Sequence, residues 1–154
     1  VIDRMIENEK IKKELDKMRI DKEKEYKDFL DKVKKIEEVE KNQIKEIILK
    51  NDEGYDIKKW EIGRKKTLII GKSTARNDVD IDVSIEGYSN LVSRVHGSLN
   101  KIDGIWYYED LGSQNGSGLE KKEDKRKTKL ERNKAIKVES GDIIYLPVTK
   151  ILLK

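Results

Sequence analysis

The chain has 154 residues, of which 43% are Asp, Glu, Lys or Arg and 35% are hydrophobic, and it carries a net charge of +4. That length fits one ordinary domain plus an appendage rather than two full domains, and the interleaving of 35 basic with 31 acidic residues argues against general nucleic-acid affinity. The absence of cysteine excludes disulfides, thiolate catalysis and Cys-type zinc sites.

Residues 1–52 contain neither glycine nor proline, and 29 of the first 50 residues are charged. Apolar residues recur there at three- and four-residue steps: Ile11, Leu15, Met18, then Tyr26, Phe29, Val33 and Ile36. This spacing predicts one long helix from Glu9 to about Ile48. Its apolar stripe has the width of a coiled-coil seam, with a stutter around Lys22. Such a helix cannot bury itself alone, so a homodimer or a hetero coiled coil through residues 9–48 is expected.

From residue 53 to residue 154 the texture changes to short apolar or alternating runs punctuated by Gly, Asn and Asp. Strands are predicted at Asp56 to Trp60, Thr67 to Ile70, Val79 to Val83, His96 to Ile102 and Ile105 to Leu111. Further strands are predicted at Ser117 to Leu119, Ala135 to Val138, Ile143 to Pro147 and Lys150 to Leu153. Asp103-Gly104 is the dipeptide of a type I′ hairpin, whose two central residues both need positive φ. Many short strands with no helix between them predict an all-β antiparallel sandwich or barrel. The stretch from Lys121 to Lys134, with eight basic and three acidic residues, reads as a solvated hairpin loop, with a polyanion-binding patch as the alternative.

Three polar turns stand out: Gly71-Lys72-Ser73, the segment from Val92 to Gly97, and the segment from Asp110 to Ser117. A phosphate dianion needs several donors converging from different directions, and a small β-domain supplies them from loops held at one end. The candidates are the Lys72 ammonium, the Ser93 hydroxyl and amide, the Arg94 guanidinium and the amides of the turn from Gly112 to Asn115.

Ser93-Arg94-x-His96, followed by Asp110-Leu111-Gly112-Ser113-x-Asn115-Gly116 and preceded by Gly71-Lys72, resembles the paired signature of the forkhead-associated (FHA) family across roughly residues 55 to 154. The resemblance implies an FHA-like antiparallel β-sandwich that reads phosphothreonine in a partner protein. It implies that Ser93 bonds the phosphate, Lys72 supplies charge, Asn115 clamps the ligand backbone and Arg94 contacts ligand less directly. His96 is implied to be architectural, with Gly71 and Gly116 as structural members of the motif. Lys72 stands where the family has arginine, and a point charge replaces a planar fork. Gln114 stands where threonine is usual and still carries an amide donor; Arg76 is a candidate to compensate.

No catalytic residue, cofactor or metal is expected, because the single histidine falls at the structural position and Ser93 therefore lacks a general base. The alternative is a phospho-independent FHA module that builds a larger assembly through its helix. No apolar run approaches a membrane span and no targeting pattern opens the chain, so an intracellular setting, nuclear or cytoplasmic, is expected. Valine at position 1 fits a piece of a longer protein.

Overall fold

The computed structural model describes residues 2–41, 43–84 and 88–154, which form two units, one spanning Val1–Glu40 and the other Lys41–Lys154.

The first unit is a single helix, α1 (Ile2–Lys41), 40 residues long. At about 1.5 Å rise per residue it extends for about 60 Å. Ile11, Leu15, Met18, Tyr26, Phe29 and Ile36 of its apolar stripe are all solvent-exposed, and Val33 is half-buried. The expected continuation to Ile48 is corrected: the helix stops at Lys41 and Glu46–Lys50 is instead the first strand. Ile47 and Leu49 are fully buried there and Ile44 nearly so, which places this segment in the core of the second unit. Asn42, inside the expected helix, lies outside the described residues.

The second unit is a sandwich of two sheets. One contains β1 (Glu46–Lys50), β2 (Asp56–Glu61), β7 (Gly118–Glu120), β8 (Lys127–Lys129), β10 (Ile143–Leu146) and β11 (Thr149–Leu153), in the order β2-β1-β11-β10-β7-β8. The other runs β4-β3-β5-β6-β9, with β3 at Thr67–Gly71, β4 at Ile81–Asp82, β5 at Val95–Ile102, β6 at Ile105–Asp110 and β9 at Ile136–Val138. Each strand pairing is antiparallel except that of β3 with β4.

Alternation explains the sheets. Trp106, Tyr108 and Asp110 of β6 are buried while their neighbours are half-buried, and Ile151 and Leu153 of β11 repeat the pattern against Ile144 of β10. The inner faces interdigitate into one cluster that includes Leu68, Ile70, Leu99, Trp106 and Leu119. The Asp103-Gly104 turn has positive φ at both positions, as its hairpin requires.

Eight of the nine expected strands agree with the structure to within a residue at each end. The exception is Val79 to Val83, of which only Ile81–Asp82 pairs. There the Asp80 carboxylate takes the Ile69 amide at 2.8 Å, so a side chain fills the place of the ladder. Two strands have no counterpart in the expected set: β1, and β8, whose Lys127-Thr128-Lys129 is wholly exposed.

Register fixes where the loops go. Gly71 at the end of β3 lies opposite Val95 at the start of β5, and Gly97 lies opposite Asp110 at the end of β6. The loops leaving β3, entering β5 and leaving β6 therefore emerge at one end of the same sheet.

Candidate functional site

The three loops are cross-linked at that end. The Lys72 amide donates to the Arg94 carbonyl at 3.2 Å, and the Asn77 side-chain amide reaches the Lys72 and Arg94 carbonyls at 3.4 and 3.3 Å. Gly71 permits this approach, since a Cβ there would collide with the Arg94 carbonyl oxygen. Lys72 is half-buried and Arg94 exposed. Arg76 is exposed in the turn that joins Thr74 to Asn77, where its amide donates to the Thr74 hydroxyl at 3.3 Å.

Ser93 is half-buried, and its Oγ accepts the Gln114 amide at 3.1 Å. A hydroxyl has one proton to give besides its lone pairs, so Ser93 keeps its donor for a further acceptor. Asn115, one residue on, is exposed and donates its side-chain N–H to the Leu91 carbonyl at 2.9 Å. Its Oδ1 and its second N–H complete the groups it can present.

Below this rim lies a buried polar network. Asp110 is fully buried; its carboxylate accepts the Ser113 amide at 2.8 Å and the Ser113 and Ser117 hydroxyls at 2.6 Å each. Because Ser117 gives its proton to Asp110, the Tyr108 hydroxyl must donate to Ser117 Oγ at 2.7 Å. Burial pushes the Asp110 carboxyl up, but the bonds from Ser113 and Ser117 outweigh it and hold the group below the usual carboxylate range. Burial, with the hydroxyl bond to Ser117 opposing it, pushes the Tyr108 phenol well above its ordinary range.

His96 is also fully buried. Its Nε2 lies 2.8 Å from the Gly116 carbonyl, which can only accept, so Nε2 carries the proton. Nδ1 then accepts the Ser93 amide at 3.4 Å. Burial, with some repulsion from Arg132, keeps the imidazole below its ordinary value despite Gly116 and Asp110. A neutral ring with both nitrogens engaged has no lone pair left for a base, and it ties the loop carrying Ser93 to the turn carrying Asn115.

The structure thus brings Gly71, Lys72, Ser93, Arg94, His96, Gln114, Asn115 and Gly116 into one bonded group of loops, with Arg76 in the same β3–β4 loop. Two further residues support the rim. Asp110 stands inside the motif, and its spacing to Ser113 is that of a side chain capping its own turn. Arg132 comes from the stretch read as solvated loop: its Nε donates to the Ser113 carbonyl at 2.7 Å and its terminal nitrogen to the Gln114 carbonyl at 3.1 Å. Among the described residues no cluster of His, Asp or Glu could hold a metal ion. No helix among them is long and apolar enough to cross a membrane.

A two-sheet sandwich with such a polar rim is the build of a β-sandwich interaction module. The description of the FHA domain matches residues 60–147, more than half of the chain, and the protein belongs to the FHA family. FHA domains are protein-interaction modules, typically for phosphothreonine, rather than enzymes.

Solved structures agree on the fold. The yeast Pml1 splicing factor, described with its integration into the RES complex, is 17% identical with a TM-score of 0.54, over 73% of this chain and 80% of that one. The FHA domain of the CT664 protein from Chlamydia trachomatis is 24% identical with a TM-score of 0.53, over 72% and 96%. A domain from a structural and functional analysis of phosphothreonine-dependent FHA interactions is 20% identical with a TM-score of 0.50, over 71% and 95%. No curated protein sequence matches the chain.

Proposed function

We propose that the rim reads a phosphothreonine in a partner protein, while α1 mediates dimerisation or assembly. The observation that carries the reading is the Ser93 hydroxyl. The Gln114 amide at 3.1 Å fills one of its lone pairs, its proton remains to be given, and the neighbouring Arg94 is bonded through its carbonyl to the loop that bears Lys72 and Arg76. A phosphate carrying about two negative charges would take charge-assisted bonds from Ser93 and Lys72. Arg94 and Arg76 would add field, Gln114 a side-chain amide, and Asn115 a clamp on the ligand backbone.

Calorimetric titration with a degenerate phosphothreonine peptide pool tests this directly. Binding near micromolar is expected for the wild type, lost in Ser93→Ala and absent for the unphosphorylated pool. Equal signals from the two pools would overturn it.

The assembly role rests on the exposed stripe of α1, where Phe29 is 61% exposed. Light scattering should show a self-associated species for the wild type and a single-chain mass for Phe29→Asp/Val33→Asp. Intracellular placement, nuclear or cytoplasmic, belongs to this reading.

A second reading is a phospho-independent assembly module. It is favoured by Lys72 and Gln114, which replace the family's arginine and threonine, and by the fold shared with Pml1, whose description includes integration into a complex. It expects partner capture that Ser93→Ala leaves unchanged.

A further inference from the structure

The rim does not end at Asn115. A groove of about 580 Å³ includes Asn115 and is lined also by Leu91, Tyr145 and Pro147. One wall is the exposed edge strand β8, which contributes Lys127 and Lys129. Among the described residues no carboxylate lines the groove.

Two cations elsewhere in the basic stretch have acidic partners. Lys121 is bonded to the buried Asp142, and Lys134 lies 3.6 Å from Glu131, so both are neutralised locally. Lys127 instead sits 4.8 Å above the Tyr145 ring, with Lys150 at 5.7 Å from the same ring. The Tyr145 hydroxyl donates to Glu120 at 3.2 Å, which keeps that carboxylate engaged at the phenol. Glu120 lies opposite Lys127 in the β7–β8 register, but its carboxylate is bonded by the phenol, while the ring holds Lys127 by its negative face with the ammonium's protons available to an anion. Lys129 approaches the rim itself: a Cβ on Gly116 would lie 4.0 Å from its Cε and 3.6 Å from the Arg132 guanidinium.

We infer that this groove receives the ligand segment adjoining the phosphothreonine and selects acidic side chains there through Lys127 and Lys129. The inference rests on the phosphothreonine reading and names the class of partner: an acidic phosphopeptide. Three observations fix the occupant. The groove includes Asn115 and Gly116 of the proposed site, its lining includes Leu91, Tyr145 and Pro147, which suit peptide side chains, and its two lining charges are positive, with Glu120 at its margin on the Tyr145 hydroxyl. A broad polyanion surface fits less well, because Glu123, Asp124 and Glu131 interrupt the basic stretch, whereas Lys127, Thr128 and Lys129 of the groove carry no acid between them.

The test uses a phosphothreonine peptide library randomised at four positions on each side, probed with the full chain and with Lys127→Gln/Lys129→Gln. Both lysines are exposed, so the double variant should melt with the wild type. Wild type should enrich Asp and Glu at one or more flanking positions, with an affinity about fivefold above that for matched Asn and Gln peptides. The double variant should lose that preference while binding the neutral peptides within about twofold of wild type.

Phosphopeptide binding with no acidic enrichment, or enrichment that survives in the double variant, would overturn the groove assignment and leave the phosphothreonine reading standing. Equal weakening toward acidic and neutral peptides would overturn it too. So would a double variant that loses affinity for a random single-stranded oligonucleotide while keeping its peptide preference. Failure of every phosphopeptide to bind the wild type would overturn both readings.

Discussion

The helix and the sandwich spend their apolar residues in opposite ways. In α1, Leu15, Tyr26, Phe29 and Ile36 are each about 60% exposed, whereas in the sandwich Ile47, Leu49, Ile70, Leu99, Val138 and Ile144 are fully buried. The sandwich buries its own apolar residues and pairs its buried polar groups apart from the Thr149 hydroxyl; the helix leaves its apolar stripe exposed. The difference teaches that the sandwich draws its stability from side-chain burial within the chain, whereas the apolar stripe of the helix contributes none within its own unit.

The sharpest test of that division is where the sandwich begins. A chain starting at Gln43 should melt as the β-unit of the full protein does, because it retains Ile44, Ile47 and Leu49. A chain starting at Glu53 removes all three and takes β1 from between β2 and β11. Burial of those side chains contributes about 6 kcal/mol in total, comparable to the whole stability of a small domain. The shorter chain should therefore be unfolded by circular dichroism at room temperature. A cooperative melt from it would move the boundary back to the glycine-rich region and break the comparison.

Next in size is the network under the rim. Asp110→Ala would strand the Ser113 and Ser117 hydroxyls and the Ser113 amide in a buried site. A loss of about 3 kcal/mol or more in urea unfolding is expected, with faster amide exchange at Gly116, whose N–H bonds Ser113 Oγ at 3.0 Å. An Ala variant as stable as wild type would mean that water replaces the carboxylate and that the sandwich does not depend on this network.

Acidification probes the same network by a second route. His96 is neutral in the fold with its pKa lowered, so below the ordinary imidazole value of about 6.5 the unfolded chain binds a proton that the native state refuses. That stability is complete above about pH 6.5 and is lost as pH falls toward the folded value. Asp110 and Asp80, both held low, add a second decline below about pH 4. Thermal melts should show both limbs. His96→Gln should lack the first while keeping the second; a flat profile between pH 7 and 5 in the wild type would contradict the neutral histidine.

Much of this is legible in the sequence, and what is not has physical causes. The Ser93-Arg94-x-His96 and Gly112-to-Gly116 motifs are legible because tight, side-chain-capped turns demand particular residue types at fixed local spacing. Ile44, Ile47 and Ile48 could not be separated from α1, because they continue its three- and four-residue steps with no Gly or Pro between. The consecutive β-formers Ile47-Ile48-Leu49 were the available signal for a strand buried between two neighbours. Lys127-Thr128-Lys129 forms an edge strand with no apolar residue, so no periodicity reveals it. Arg132 acts on two backbone carbonyls from a distant loop, and no sequence spacing encodes that contact.

The smallest effect lies at a turn that lines the groove. Pro147 and Val148 join β10 to β11, and Val148 has φ of 69°, a left-handed conformation that a β-branched residue adopts at a cost of about 1–2 kcal/mol. Beside it the Thr149 hydroxyl is buried without a hydrogen-bond partner. Val148→Asn should therefore raise stability by about 1 kcal/mol, since asparagine tolerates this region. Val148→Gly should gain less, because glycine also loosens the unfolded chain. Equal gains from both would mean that unfolded-state entropy plays no part. No gain from either would mean that the turn relaxes without strain. If the strained turn holds Pro147 in the groove's lining, Val148→Gly should also weaken acidic phosphopeptides slightly more than Val148→Asn, because glycine both removes the strain and frees the turn.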